Sequence, residues 1–170
     1  MMIDVGSVLK GIAVDRAQKK LHDYNIKKAL ITTGSSTTLM DRKPDGGKWL
    51  VGIQHPRKLD DLLGVLTGSN VTISTSGDYQ QYFYKNGKRY NHIINPKTGY
   101  PQDEFMSVTV ISPVSAAQTD ILSTAIFAMG IDKGLSFAEK QGVEYIAVSK
   151  KGKVFKSRKI DKYLDGRITY

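Results

Sequence analysis

The stretch Asn91–Pro101, NHIINPKTGYP, sets one of the chain's three histidines ahead of a rigid, basic, hydroxyl-bearing turn. An unperturbed imidazole titrates near ~6.5, so His92 is a candidate general base. Pro96 fixes the chain direction and Gly99 permits a tight turn, with Lys97 and Thr98 projecting between them. A second candidate is TDILST, where Asp120 and Thr124 stand four residues apart and share one helical face. Together they offer two hard oxygens of the kind Mg²⁺ takes. The pair also reads as an Asp facing a helix start and a Thr bonding its own i−4 carbonyl. A third is DVGSVLKG, where Gly6, Ser7 and Lys10 surround a helix start whose free N–H groups and nearby ammonium suit a phosphate. It matches neither the P-loop nor the dinucleotide fingerprint, and composition alone favours an ordinary helix start with Lys10 in solvent. STSGDYQQYF adds Ser76, Gly77, Asp78 and Tyr79 at a strand end, Gly77 allowing close approach of backbone to a ligand. The aromatics Tyr79, Tyr82, Phe83 and Tyr84 could flank a planar ring, although in a hairpin such residues pair across strands. His22, on a helix surface, and His55, before Pro56, carry less.

These groups need elements to hold them. Residues 6–25 predict a helix with Leu9, Ala13, Ala17, Leu21 and Tyr24 as its apolar stripe, widened by Val8 and Ile12, and Asn25 as its cap. Residues 28–33 predict a strand ended by Gly34, and residues 44–47 a turn between two strands. Residues 70–77 alternate as a strand should. Two β-rich runs around Asn86-Gly87 predict a hairpin, with His92 on the returning strand. A further strand over 104–113 leads to a helix over 115–130, with Ser115 as N-cap and Gly130 closing it. A short helix over 131–141 and a hairpin turning at Lys151-Gly152 complete the chain. The total is about seven strands and three helices, with hairpins dominant. That predicts an α+β fold with a mostly antiparallel sheet in a single domain over residues 1–170, and disfavours a doubly wound nucleotide fold.

With 170 residues, 40% of them hydrophobic, the chain can bury a real core. The absence of cysteine excludes disulfides, thiolate metal sites and cysteine nucleophiles. A net charge of +9 and a pI near 9.6 favour anionic partners without choosing among them. The basic group KKGKVFKSRK over residues 150–159 reads as a solvated hairpin with a charged edge. The first twenty residues carry no long apolar run of the signal-peptide kind, and no run approaches a membrane span, so the chain is expected to be soluble.

Four blocks in order, DVGSVLKGIAVD, STSGDYQQYF, HIINPKTGYP and TDILSTAIFAMG, resemble the ApbE-type FAD:protein FMN transferases. The connecting RKPDGGKWLVGIQHPR resembles that family's strand pair. The resemblance implies splitting of the FAD pyrophosphate, with transfer of FMN to a Ser or Thr hydroxyl of an acceptor flavoprotein, release of AMP and a need for Mg²⁺. Some members also hydrolyse FAD. It implies that Gly6, Ser7 and Lys10 lie near the pyrophosphate, and that Ser76, Gly77, Asp78, Tyr79, Pro96, Thr98 and Gly99 contribute to FAD binding. His92 would be the catalytic base. The Ser7 carbonyl, Asp120 and Thr124 would hold Mg²⁺.

Relatives usually carry a long segment ahead of the first block, including contacts to the adenosine part of FAD, and are usually extracytoplasmic and membrane-anchored. The resemblance thus covers the C-terminal part of the family's usual length, and a homodimer could rebuild the rest. After ALITTG many relatives carry a second glycine and an acidic or amide residue, where this chain has Ser35–Thr38. Two other readings stand beside the transferase: a flavin-binding remnant with weak turnover, and a basic nucleic-acid-binding module suggested by the charge and by YFYKNGKRY. The last leaves TDILST without a role, so no nucleic acid is expected.

Overall fold

The computed structural model describes residues 5–58 and 60–170; Asp4, which opens the first block, lies outside them. Helix α1 spans Gly6–Asp23. It closes as its sequence demands. Asn25 adopts a left-handed φ of 60°, its N–H donates to the His22 carbonyl at 2.9 Å, and the Ile26 N–H donates to the Leu21 carbonyl at 2.9 Å.

The face that α1 buries differs from the expected stripe. Gly11 and Val14 are buried, whereas Leu9 is 55% exposed and Tyr24 also faces solvent. The reason lies in the partner helix. At Gly11 the backbone of α1 rests directly on the start of α2 (Ala116–Met129), and an added Cβ would come within 2.4 Å of the Ala116 carbonyl oxygen. One turn on, Asp15 caps α2, accepting from the N–H groups of Ala116 (2.7 Å) and Ala117 (3.0 Å). A glycine contact and a carboxylate cap thus set the rotation of α1, not its larger apolar residues. Gly11→Ala would gain about 1 kcal/mol of propensity in an open helix. Here it is expected to destabilise by about 1–3 kcal/mol through overpacking, seen as a lower Tm; a higher Tm would refute the contact.

Helix α2 begins at the N-cap predicted for it, Ser115, whose Oγ accepts from the Gln118 N–H at 3.2 Å, and Gly130 (φ 80°) ends it. Helix α3 (Ile131–Lys140) follows, and the Glu104 carboxylate accepts from its Ile131 N–H at 2.8 Å. No helix among the described residues is long and apolar enough to cross a membrane.

The strands are β1 (Ala29–Thr33), β2 (Ser36–Met40), β3 (Trp49–Gln54), β4 (Leu62–Gly68), β5 (Val71–Gly77), β6 (Tyr82–Lys85), β7 (Lys88–Asn91), β8 (Phe105–Ser112), β9 (Glu144–Ser149) and β10 (Val154–Lys156). Among the described residues there are ten strands, where about seven are expected. β2, separated from β1 only by Gly34 and Ser35, supplies the strand expected ahead of the 44–47 turn, whereas β4 is not expected. In β4, LLGVLTG, glycines interrupt the alternation. One six-stranded sheet runs β1-β2-β5-β8-β9-β10, with every neighbour antiparallel; β3-β4 and β6-β7 form separate pairs. The α+β class stands.

Both faces of the central strands are covered, so β8 is buried along its whole length. Alternation then sorts the side chains. Tyr145 and Ala147 of β9 join Phe105, Val108, Val110, Ile126 and Phe127 under α2 and α3. Ile146 and Val148 join Leu39, Ile53, Leu66, Ile73 and Ile111 on the opposite face, roofed by β3-β4 and the C-terminal residues. The aromatic residues of the β6-β7 hairpin pair with each other: Phe83 stacks on Tyr90 across the strands at 5.2 Å, and Tyr82 meets Tyr84 edge-on at 5.5 Å.

Candidate active site

A cavity of about 450 Å³ lies where the start of α1, the end of β5, the end of the β6-β7 hairpin and the inner face of α2 meet. Gly6, Ser7 and Lys10 line it from α1, Ser76 and Gly77 from β5, His92 from beyond β7, and Asp120 and Thr124 from α2. Residues far apart in the chain thus share one space of the size that takes a small-molecule ligand.

Asp120 is only 3% exposed. Its Oδ2 accepts from the Gly11 N–H at 3.1 Å and its Oδ1 from the Ser36 hydroxyl at 3.0 Å, so both partners are neutral. Among the described residues, no ion pair within 4.0 Å includes it. A buried carboxylate without a counter-charge is costly, and a cation in the cavity would relieve it. Thr124, one turn on, bonds the Ser76 hydroxyl at 2.9 Å and the Asp120 carbonyl at 3.3 Å. The local i−4 bond anticipated for a Thr here is therefore present, and the residue still lines the cavity. No group of three or more His, Cys, Asp or Glu side chains suited to a metal occurs among the described residues. A carboxylate oxygen and a hydroxyl oxygen are hard donors, a set that fits Mg²⁺, commonly held by one carboxylate with water and phosphate oxygens, better than a transition metal.

His92 is the first residue beyond β7, not a member of it as expected. Its N–H still continues the ladder, donating to the Gln81 carbonyl at 3.2 Å. The imidazole Nδ1 lies 3.2 Å from the same carbonyl oxygen. A carbonyl only accepts, so Nδ1 carries the proton in that contact and Nε2 presents its lone pair. The ring is exposed on the rim of the cavity.

Five of the expected ligand residues are not among those lining this cavity. The 95–99 turn closes on itself. Asn95 accepts from the N–H groups of Lys97, Thr98 and Gly99, and the Thr98 Oγ accepts from the Tyr100 N–H at 3.3 Å. Pro96, Thr98 and Gly99 are thereby carried outward into solvent, and Ile93 and Ile94 form the wall instead. The turn is tied down by the Ile94–Pro101 bridge and by the Asn91 side-chain amide, which donates to the Gln102 carbonyl at 2.8 Å.

Asp78 is also directed elsewhere. It is fully buried and contacts Arg57 (2.7 Å), Arg89 (3.5 Å) and Lys150. Burial alone would raise its carboxyl, but hydrogen bonds from Arg57 and Lys150 outweigh it and hold the group below the usual carboxylate range. Tyr79 lays its ring over Gly77, occupying the space where a Cβ would meet Tyr79 Cε1 at 2.4 Å. Burial, with the Asp78 charge adding to it, pushes the Tyr79 hydroxyl up to about 12, so it stays protonated. His55 is structural too: it stacks on Tyr170 at 4.8 Å, and its Nδ1 accepts from the N–H groups of Arg57 and Lys58 at 3.1 Å.

Sequence reasoning missed Ser36, Gln80 and Gln81. The two glutamines line the cavity beside His92. They lie inside the STSGDYQQYF block, and the hairpin pattern alone would have set Gln81 opposite His92.

The ApbE family profile matches residues 1–147. The chain is 36% identical over 147 residues to an FAD:protein FMN transferase of Haemophilus influenzae, covering 83% of this chain and 41% of the relative. It is 35% identical over 153 residues to one of Klebsiella pneumoniae, covering 88% and 46%. Among solved structures it resembles the ApbE protein of Thermotoga maritima, with a TM-score of 0.88, 32% identity, and coverage of 96% of this chain and 54% of that one. The apo flavinyl transferase ApbE of Pseudomonas stutzeri gives a TM-score of 0.82 at 30% identity, covering 98% and 53%. The chain thus spans about half the length of the relatives it matches.

Proposed function

Because this chain belongs to the ApbE family, we propose that it serves the transfer of FMN from FAD to a Ser or Thr hydroxyl of an acceptor protein, with release of AMP. One observation carries this reading: a single cavity gathers Gly6, Ser7 and Lys10 with His92, Asp120 and Thr124. It combines a helix start and a lysine suited to a pyrophosphate, a base on the rim, and a buried carboxylate that has no ion-pair partner among the described residues.

In this reading the N–H groups at the start of α1 and the Lys10 ammonium hold the pyrophosphate. Asp120, Thr124 and the Ser7 carbonyl are the residues that would hold Mg²⁺, which when bound supplies neutralising charge to the pyrophosphate oxygens. Gln81 fixes the His92 tautomer so that Nε2 accepts the proton of the acceptor hydroxyl. The hydroxyl oxygen forms a bond to the FMN-side phosphorus, the bond from that phosphorus to the bridging oxygen breaks, and AMP leaves with the electron pair. Chemistry of this kind asks mainly for positioning and charge neutralisation.

The test is chromatographic: purified protein with FAD, with and without Mg²⁺, followed for FMN and AMP in the presence and absence of candidate acceptors. Magnesium-dependent FMN and AMP, or a flavinylated acceptor, is expected. Intact FAD under all of these conditions would overturn the reading. His92→Ala is expected to lower transfer by about 10²–10⁴-fold with little change in FAD binding. A parallel loss of binding would make His92 a ligand contact and not a base.

A further inference from the structure

Among the described residues two aspartates are buried, Asp78 and Asp120, and their surroundings differ in kind. Asp78 has its charge matched within the protein by Arg57, Arg89 and Lys150. Among the described residues Asp120 is held by neutral donors, so its negative charge stays available to the cavity. What holds Asp120 therefore bears on what the cavity can bind.

The last torsion of an aspartate is broad, and a single donor leaves the carboxylate plane free to turn. Here the two oxygens are anchored from two different elements: Oδ2 by Gly11 of α1 and Oδ1 by Ser36 of β2. Ser36 is 0% exposed and faces its register partner Ser74 of β5, with the hydroxyl oxygens 3.0 Å apart. A carboxylate can only accept, so Ser36 gives its one proton to Asp120 and accepts the proton of Ser74. The chain of donors runs in one direction, from Ser74 through Ser36 to Asp120.

We propose that Ser36 is a positioning residue: its hydroxyl, oriented by Ser74, fixes the Asp120 carboxylate for a divalent cation and sets the cation affinity of the cavity. This rests on the metal assignment made above. Neutral outer partners of this kind orient a ligand without cancelling its charge, and their loss costs about 10–100-fold in metal affinity.

The test is a Mn²⁺ titration followed by electron paramagnetic resonance, with FAD present, on the wild type, Ser36→Ala, Ser74→Ala and Asp120→Asn. The wild type is expected to bind Mn²⁺ and Asp120→Asn to lose it. Ser36→Ala should bind about 10–100-fold more weakly. Ser74→Ala, which leaves the Ser36 donor in place but unoriented, should show a smaller loss, and it supplies the answer if Ser36→Ala does not fold. Wild-type affinity in Ser36→Ala, or in Ser74→Ala where that variant must stand in, overturns the positioning role and leaves the metal site standing. No binding by the wild type, or undiminished binding by Asp120→Asn, overturns the metal site and the inference together.

Discussion

Asp120→Asn is expected to cut Mg²⁺-dependent turnover of FAD by roughly a thousandfold, equivalent to ~4 kcal/mol of transition-state stabilisation, while the protein stays folded. The substitution keeps the shape and removes the charge. The Asn amide can still accept one of the two neutral donors and can donate back to the Ser36 oxygen, so the buried hydrogen bonds survive. It also removes a buried carboxylate that has no ion-pair partner among the described residues. In metal-free buffer the variant should therefore melt at the same temperature as the wild type or higher. Added Mg²⁺ should raise the Tm of the wild type and leave that of the variant unchanged, since only a ligand that binds the folded state shifts the equilibrium. A variant that keeps its turnover, or that is stabilised by Mg²⁺ as the wild type is, would remove Asp120 from the metal site.

Asp78→Ala is expected to have the largest effect on stability, a loss of about 3–5 kcal/mol. The cations it meets come from three places in the chain: Arg57 beyond β3, Arg89 on β7 and Lys150 after β9. Without the carboxylate they face one another with nothing to compensate them. For a domain of this size each kcal/mol moves Tm by about 2–4 °C, so the melting temperature should fall by roughly 6–20 °C. The effect also has a pH signature. The folded carboxyl titrates below its unfolded value, so its contribution is fully present above about pH 4 and is lost as pH falls through the lower folded value. Wild type and variant should therefore differ most near neutrality and converge in strong acid. A difference that is constant with pH would show that packing, and not the ion cluster, sets the loss.

The secondary structure was largely legible because its signals are local. Asn25, Ser115, Gly130 and the Asn86-Gly87 turn act through their own backbone or that of near neighbours, and each does what its residue type predicts. The face of α1 was not legible. Leu9 and Tyr24 looked like its buried stripe, but Gly11 and Asp15 meet α2, about a hundred residues later. The pairing of Asp120 with Thr124 as candidate metal ligands could be proposed from an i, i+4 spacing, because the helix itself puts them on one face. Asp78 could not be sorted the same way: SGDY gives no hint that Arg57 and Lys150 arrive from distant loops to neutralise it.

By itself the sequence determined the α+β class, the order of the helices, the family, and the residue types able to handle phosphate, metal and proton. Local spacing is enough for those. Only the tertiary structure decided which of these residues share a cavity. It brought Lys10, His92 and Asp120 together, turned Pro96, Thr98 and Gly99 to solvent, and enclosed Asp78 among cations. It also recruited Ser36, which no motif marks, by pairing β2 with β5 beneath α2. The physical reason is the same in each case. A buried charge is defined by the groups that surround it, and those groups are chosen by strand pairing and helix contact, not by neighbours in the chain.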